Sequence, residues 1–133
     1  MMIVGERMVR EPVTVSTEDT LVAAQAKMHA GGFRQLPVIM YGKLAGIITD
    51  RDIRRHGHQM RITKVSAAMT KNLLTVSPAT PLDEAARILL EHKIGGLPVV
   101  DKEKLVGIIT ITDMLQAFVD LTSSSAKRVA RIY

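Results

Sequence analysis

Cysteine is absent from this 133-residue chain, which removes disulfides, thiolate nucleophiles and zinc-finger chemistry together. Tryptophan is absent too, and aromatic residues make up 3% of the sequence, too few for the stacking platforms that hold single-stranded nucleic acid. No apolar run approaches the ~18 residues that a membrane span needs. At the N-terminus Met1-Met2-Ile3-Val4 passes directly into charged residues, without the long apolar region of a signal peptide. A cytoplasmic protein with no membrane span is the resulting expectation. No nucleophile–base pair or acid–base dyad is recognisable, and Ser123-Ser124-Ser125 fall in a polar terminal stretch. The chain is therefore expected not to be an enzyme. His56 and His58 are separated by one glycine, but no third ligand is evident, and no metal site is expected. His29 and His92 are placed near helix ends, at the surface.

What is present is aliphatic. Apolar residues form 47% of the chain and include eight methionines, enough for one domain with a respectable core. A formal charge of +5, from 18 Lys and Arg against 13 Asp and Glu, would attract nucleic acid, nucleotides or an acidic partner without choosing among them. Arg51, Arg54, Arg55 and Arg61 concentrate that charge, either as a solvated helix face or as a contact for an anion or acidic partner.

The chain is two copies of one unit. Sliding it by 61 residues aligns Val4 with Val65, Met8 with Met69, Thr14-Val15-Ser16 with Thr75-Val76-Ser77, and Leu36-Pro37-Val38 with Leu97-Pro98-Val99. The same displacement superposes Gly46-Ile47-Ile48-Thr49 on Gly107-Ile108-Ile109-Thr110 and Asp52 on Asp113, without a gap. Such internal identity sets the architecture before any element is assigned. Residues 1–61 form the first copy with its lead-in and connector, 62–121 the second, and 122–133 a polar and basic tail containing Lys127, Arg128 and Arg131.

Within each copy a lead-in helix (Val4 to Met8, Val65 to Met69) precedes a brief strand (Val13 to Ser16, Leu74 to Ser77) rich in residues that suit a pleated surface. A helix follows. In the second copy Leu82, Ala85, Ala86, Leu89 and Leu90 share one apolar face, with Thr80 as the expected N-cap and Pro81 at the first helical position. The first copy repeats this more weakly through Leu21, Ala24 and Met28, and stops at Gly31-Gly32. Two strands joined by short turns then make antiparallel hairpins, Leu36 to Met40 with Leu44 to Thr49, and Leu97 to Asp101 with Leu105 to Thr110. A closing helix begins near Asp50 or Ile111. Neither copy of about 60 residues buries much surface alone, so the small sheets should pack face to face about a pseudo-twofold axis with helices outside. The expected fold class is α/β of the α+β kind. Both Gly-Ile-Ile-Thr stretches run straight into a helix N-terminus, where backbone N–H groups lack intrahelical partners and an anionic ligand is held cheaply.

These features together resemble the tandem CBS domain pair, the regulatory module named after cystathionine β-synthase, in its prokaryotic stand-alone or acetoin-utilisation form. The resemblance spans roughly residues 4–121. It rests on Thr-Val-Ser before a helix, on Gly32-Phe33-Arg34-Gln35-Leu36-Pro37-Val38 with Gly95-Gly96-Leu97-Pro98-Val99, and on the doubled Gly-Ile-Ile-Thr-x-x-Asp. It implies two βαββα repeats and a sensor of adenosine ligands: AMP, ADP, ATP, or a relative such as NAD or S-adenosylmethionine. The nucleotide is a regulatory ligand, with no required cofactor. The implied assembly is a homodimer that reports occupancy to an effector protein the sequence does not identify.

Under that resemblance Asp52 and Asp113 would accept two ribose hydroxyls each, as a carboxylate can. The same Thr49-x-x-Asp52 and Thr110-x-x-Asp113 patterns are also near-capping boxes, in which the threonine caps the helix and the acid sits in its first turn. Thr49 and Thr110 would meet ribose or phosphate, with N-capping as their other role. Arg34 is implied to lie near the central axis and reach a phosphate with its planar fork. Its counterpart, Gly95, carries no charge, and Arg51 likewise corresponds to uncharged Thr112. Basic groups of one copy often meet phosphates at the other's ribose site in this family. The Asp113 site, able to borrow Arg34 and Arg51, is accordingly expected to bind phosphate better. Adenine would enter apolar slots around Thr14-Val15 and Leu36-Pro37, and around Thr75-Val76 and Leu97-Pro98. The competing expectation is a structural dimerisation module whose basic surface contacts nucleic acid or an acidic protein, with nucleic acid the less favoured partner.

Overall fold

Strand alternation places the core. In the computed structural model, which describes residues 1–123, the hairpin of the first copy is β3 (Gln35–Met40) with β4 (Lys43–Thr49), flanked by the two-residue β2 (Val15–Ser16). β2 runs parallel to β3, Val15 opposite Val38, and β3 pairs antiparallel with β4, Leu36 opposite Ile48. Leu36, Val38 and Ile48 project to one face and pack with Leu21, Ala24 and Met28 of α1 (Leu21–Gly31). Pro37 and Ile47, also buried, point to the opposite face, the side on which β4 approaches the second sheet.

The second sheet has the order β1 (Val9–Arg10), β6 (Lys104–Thr110), β5 (Gly96–Asp101). Leu97, Val99 and Ile109 join Leu82, Ala85 and Leu89 of α4 (Leu82–His92) in a core of their own. The closing helices are α2 (Asp50–Arg54) and α5 (Ile111–Thr122), with the single-turn α3 (Val65–Ala68) opening the second copy. The two sheets therefore lie face to face with helices outside. The tail residues Lys127, Arg128 and Arg131 lie outside the described residues.

The copies are interleaved. β1 belongs to the first copy in sequence, yet it pairs with β6 of the second, Val9 opposite Ile108. Val4 N–H donates to the Thr80 carbonyl at 2.8 Å and Gly5 N–H to that of Pro78 at 2.8 Å. Val4 and Met8 are buried among second-copy residues. The lead-in of the second copy answers in kind: Val65 N–H donates to Asp19 at 2.8 Å, Ser66 N–H to Thr17 at 3.1 Å, and Ile47 and Thr70 exchange bonds of 3.0 and 2.9 Å. Val65 is packed in the first core. Arg7 adds an ion pair to Asp120 near the end of α5; the Arg7 hydrogen bond, with a second from Gln116, holds that carboxyl below the usual carboxylate range.

This crossing explains two glycines. A Cβ on Gly107 would lie 2.7 Å from the Met8 sulfur and 2.8 Å from the Val9 carbonyl oxygen. On Gly46 it would lie 2.7 Å from both the Met69 sulfur and the Thr70 carbonyl oxygen. Each glycine is the place where the other copy's lead-in passes over the sheet.

The structure corrects several local expectations. The lead-ins are shorter, a 3-10 turn at Val4–Glu6 and one helical turn at Val65–Ala68. The strand at Val13–Ser16 contracts to Val15–Ser16, and that at Leu74–Ser77 to a single bridge, Val76 opposite Val99; Val13 and Leu74 are exposed where the chain leaves the sheets. Thr80 does not cap α4. Pro81 occupies the N-cap position, and the Thr80 hydroxyl instead accepts the Ser77 N–H at 3.0 Å, closing a turn before the helix. In the first copy Thr20, the counterpart of Pro81, does cap, accepting from the Ala23 N–H at 3.2 Å. Leu90 lies off the buried face of α4 and is exposed.

The hairpin turns differ in strain. Tyr41-Gly42 and Lys102-Glu103 both have positive φ at each residue, 51° and 78°, then 49° and 66°, the pattern of a two-residue turn that prefers glycine second. Glu103→Gly is expected to raise stability by about 0.5–1 kcal/mol, since it relieves a left-handed side chain against a smaller entropy cost. Chemical denaturation would show a higher midpoint; an unchanged or lower midpoint contradicts the turn assignment.

Candidate functional site

Each sheet ends where a strand becomes a helix, and there the two aspartates sit. Thr49 has extended backbone and caps α2: its hydroxyl accepts the Asp52 N–H at 3.2 Å, while Asp52 Oδ2 accepts the Thr49 N–H at 2.9 Å. Thr110 and Asp113 repeat this on α5 at 3.3 and 2.8 Å, and the Thr110 hydroxyl also donates to Asp113 Oδ2 at 3.0 Å. Both sequence motifs are thus complete capping boxes. The reciprocal bonds satisfy otherwise orphaned donors and hold each carboxylate at a fixed place beside its strand end. Each uses one oxygen for the cap. Oδ1 of Asp52 lies 4.0 Å from the Arg55 guanidinium, and Asp113 Oδ1 has no hydrogen bond among the described residues.

The remaining site residues divide by what they expose. Val15, Leu36, Val76 and Leu97 turn their side chains into the aliphatic cores and are buried as whole residues. Pro37 and Pro98 are buried on the opposite face of the same strands. Thr14 and Gly95 are half-buried, and Thr75 is exposed. Arg51 is exposed on α2. Arg34, at the mouth of β3, is also exposed; it lines a cleft of about 560 Å³ between α1 and α2 with His29, Phe33, Asp50 and Arg54. Asp52 is not part of that cleft, nor is Asp113 part of a second, apolar cleft of about 320 Å³ lined by Met2, Met114, Phe118 and Leu121.

Two residues escaped sequence reasoning. Gln35 reaches across the pseudo-twofold axis and donates from Nε2 to the Gly95 carbonyl at 3.2 Å. Lys27 on α1 donates to the Thr14 carbonyl at 2.8 Å, whereas its counterpart, Ile88, has no donor to offer Thr75. The available signal lay in mismatches of the repeat: Gln35 faces Gly96 and Lys27 faces Ile88 in the alignment.

Part of the basic charge is already partnered. Arg54 pairs with Asp50 at 3.0 Å and Lys64 with Glu18 at 2.9 Å, exposed contacts of modest energy. Among the described residues no three His, Cys, Asp or Glu side chains converge as a metal site, and no helix is long and apolar enough to cross a membrane.

Comparison with known proteins bears on this geometry. The CBS domain model matches residues 4–58 and again 65–120. A CBS domain-containing protein of Dictyostelium discoideum is 33% identical over 132 residues, covering 88% of this chain and 91% of its own. A putative acetoin utilization protein from Vibrio cholerae has a solved structure that superposes with a TM-score of 0.83 at 34% identity, over 91% of this chain and 93% of its own. The CBS domain pair of protein MJ0100, solved with 5-methylthioadenosine and S-adenosyl-L-methionine, gives a TM-score of 0.85 at 28% identity, over 92% and 99%. CBSX2, solved in complex with AMP, gives 0.83 at 29% identity, over 91% and 98%. With its unit matched twice in tandem and its whole architecture reproduced, the chain belongs to the CBS domain family.

Proposed function

We propose that the chain is a regulatory rather than catalytic module, which binds an adenosine ligand beside its strand-to-helix junctions and relays occupancy to an effector protein. The observation that carries this reading is the match over nearly the whole chain to CBS pairs solved with AMP, S-adenosylmethionine and methylthioadenosine, ligands that share an adenosine. In this reading Oδ1 of Asp52, beside Arg55, or Oδ1 of Asp113 accepts ribose hydroxyls, while backbone at Thr14-Val15 or Thr75-Val76 reads adenine. Arg34 and Arg51 supply positive charge to phosphates. The second site is favoured, because the Thr14 carbonyl of the first is already engaged by Lys27. The module works as a homodimer, its copies meeting through the exposed apolar side chains Leu115, Phe118 and Leu121 of α5.

Titration calorimetry and thermal unfolding across AMP, ADP, ATP, NAD and S-adenosylmethionine test this reading. A ligand at a hundredfold its Kd adds about 2.7 kcal/mol to stability, which raises Tm by several degrees in a domain of this size. Absence of both heat and Tm shift throughout the panel at millimolar concentration rejects it.

A further inference from the structure

The geometry points to Gln35 as a positioning residue that couples the two candidate sites; this rests on the nucleotide reading above. Two carbonyls hold the first N–H groups of the site helices. Arg34 oxygen accepts from Asp50 N–H of α2 at 2.9 Å, and Gly95 oxygen accepts from Ile111 N–H of α5 at 3.1 Å. Gln35 touches both arrangements. Its backbone stands opposite Thr49, the cap of α2, and its side chain places a second hydrogen bond on Gly95 oxygen. That oxygen thus uses both lone pairs, one for each copy.

The link is made from the first copy alone. The counterpart of Gln35 is Gly96, which has no side chain to return the bond. The space is instead filled by Gln35: a Cβ on Gly96 would lie 2.9 Å from its amide carbon, and one on Gly95 3.0 Å from its Oε1. A phosphate drawn to Arg34 displaces the neighbouring residue, and Gln35 carries that displacement to Ile111 at the start of α5, two residues from Asp113. Coupling of this kind is worth about a 5- to 150-fold change in affinity where it has been measured.

The test uses the full chain with Gln35→Met, which keeps length and packing without a donor, and Gln35→Glu, which keeps shape but presents only acceptors to Gly95 oxygen. Amide hydrogen exchange is followed without ligand. Loss of one hydrogen bond predicts about fivefold faster exchange at Ile111 and Asp113, with Asp50 and Asp52 unchanged. AMP is then titrated, with site occupancy read from the Asp52 and Asp113 amide resonances. Wild-type protein is expected to bind the second AMP at least fivefold differently from the first, and both variants to bring that factor towards one. Independent filling of the two sites in wild type, or exchange and coupling unaltered in both variants, overturns the inference. If wild-type protein takes up no AMP at either resonance, the nucleotide reading falls; faster Ile111 exchange then still supports the positioning role of Gln35, and unchanged exchange overturns it.

Discussion

Gly107→Ala is expected to destabilise the protein by about 1–3 kcal/mol, towards the upper end for overpacking without a cavity to absorb the methyl group. The added Cβ meets the Met8 sulfur at 2.7 Å and the Val9 carbonyl at 2.8 Å. Sulfur at the end of a flexible side chain can swing away. The carbonyl cannot, because β1 is fixed to β6 by the pairing of Val9 with Ile108. Gly46→Ala should behave alike against Thr70. Urea unfolding would show a lower midpoint at an unchanged slope, and since each core contains a piece of the other copy, one transition for both. Wild-type midpoints in both variants would mean that the lead-ins do not lie over the glycines.

Asp113→Asn should separate two roles that the wild-type carboxylate combines. The asparagine carbonyl can still accept the Thr110 N–H, so the cap survives and stability should change little. Asp113→Ala removes that acceptor and is expected to cost about 1 kcal/mol. AMP binding should respond differently: hydrogen bonds to a charged group contribute about 1.5–3 kcal/mol, so either substitution should weaken binding roughly ten- to hundredfold. Calorimetry on the two variants, with Asp52→Asn alongside, would assign the stronger site. An Asp113→Asn protein that binds AMP as wild type does would leave Asp113 as a helix cap with no part in sugar recognition.

Legibility in the sequence followed the range of the interactions. Local signals were reliable: alternation in Leu36-Pro37-Val38 and Gly46-Ile47-Ile48, and the threonines opening α2 and α5, placed the hairpins and closing helices. Thr80 misled because two hydroxyl and imide residues compete at one helix start, and only the backbone geometry at Pro81, ψ 138°, decides between them. The interleaving was not legible at all. Periodicity describes Val4 and Met8 as apolar, and the repeat aligns them with Val65 and Met69, but neither says in which of two equivalent cores they are buried. At the site, Thr-x-x-Asp serves a capping box and a sugar equally well. The capping box needs protein atoms alone, and it is complete. Gln35 was overlooked because its partner, a backbone carbonyl, has no signature in side-chain patterns.

The exchange of lead-ins has a consequence for how such a chain can be divided or built. A polypeptide holding residues 62–123 alone carries Val65, which belongs in another unit, and lacks the Val4 and Met8 that would seal its own interior. Two such polypeptides would remedy each other's deficiency by trading N-terminal arms, so a half-length product should appear in solution as an obligate pair whose folding depends on concentration. Gene duplication would then have changed how the partnership is joined, not the partnership itself.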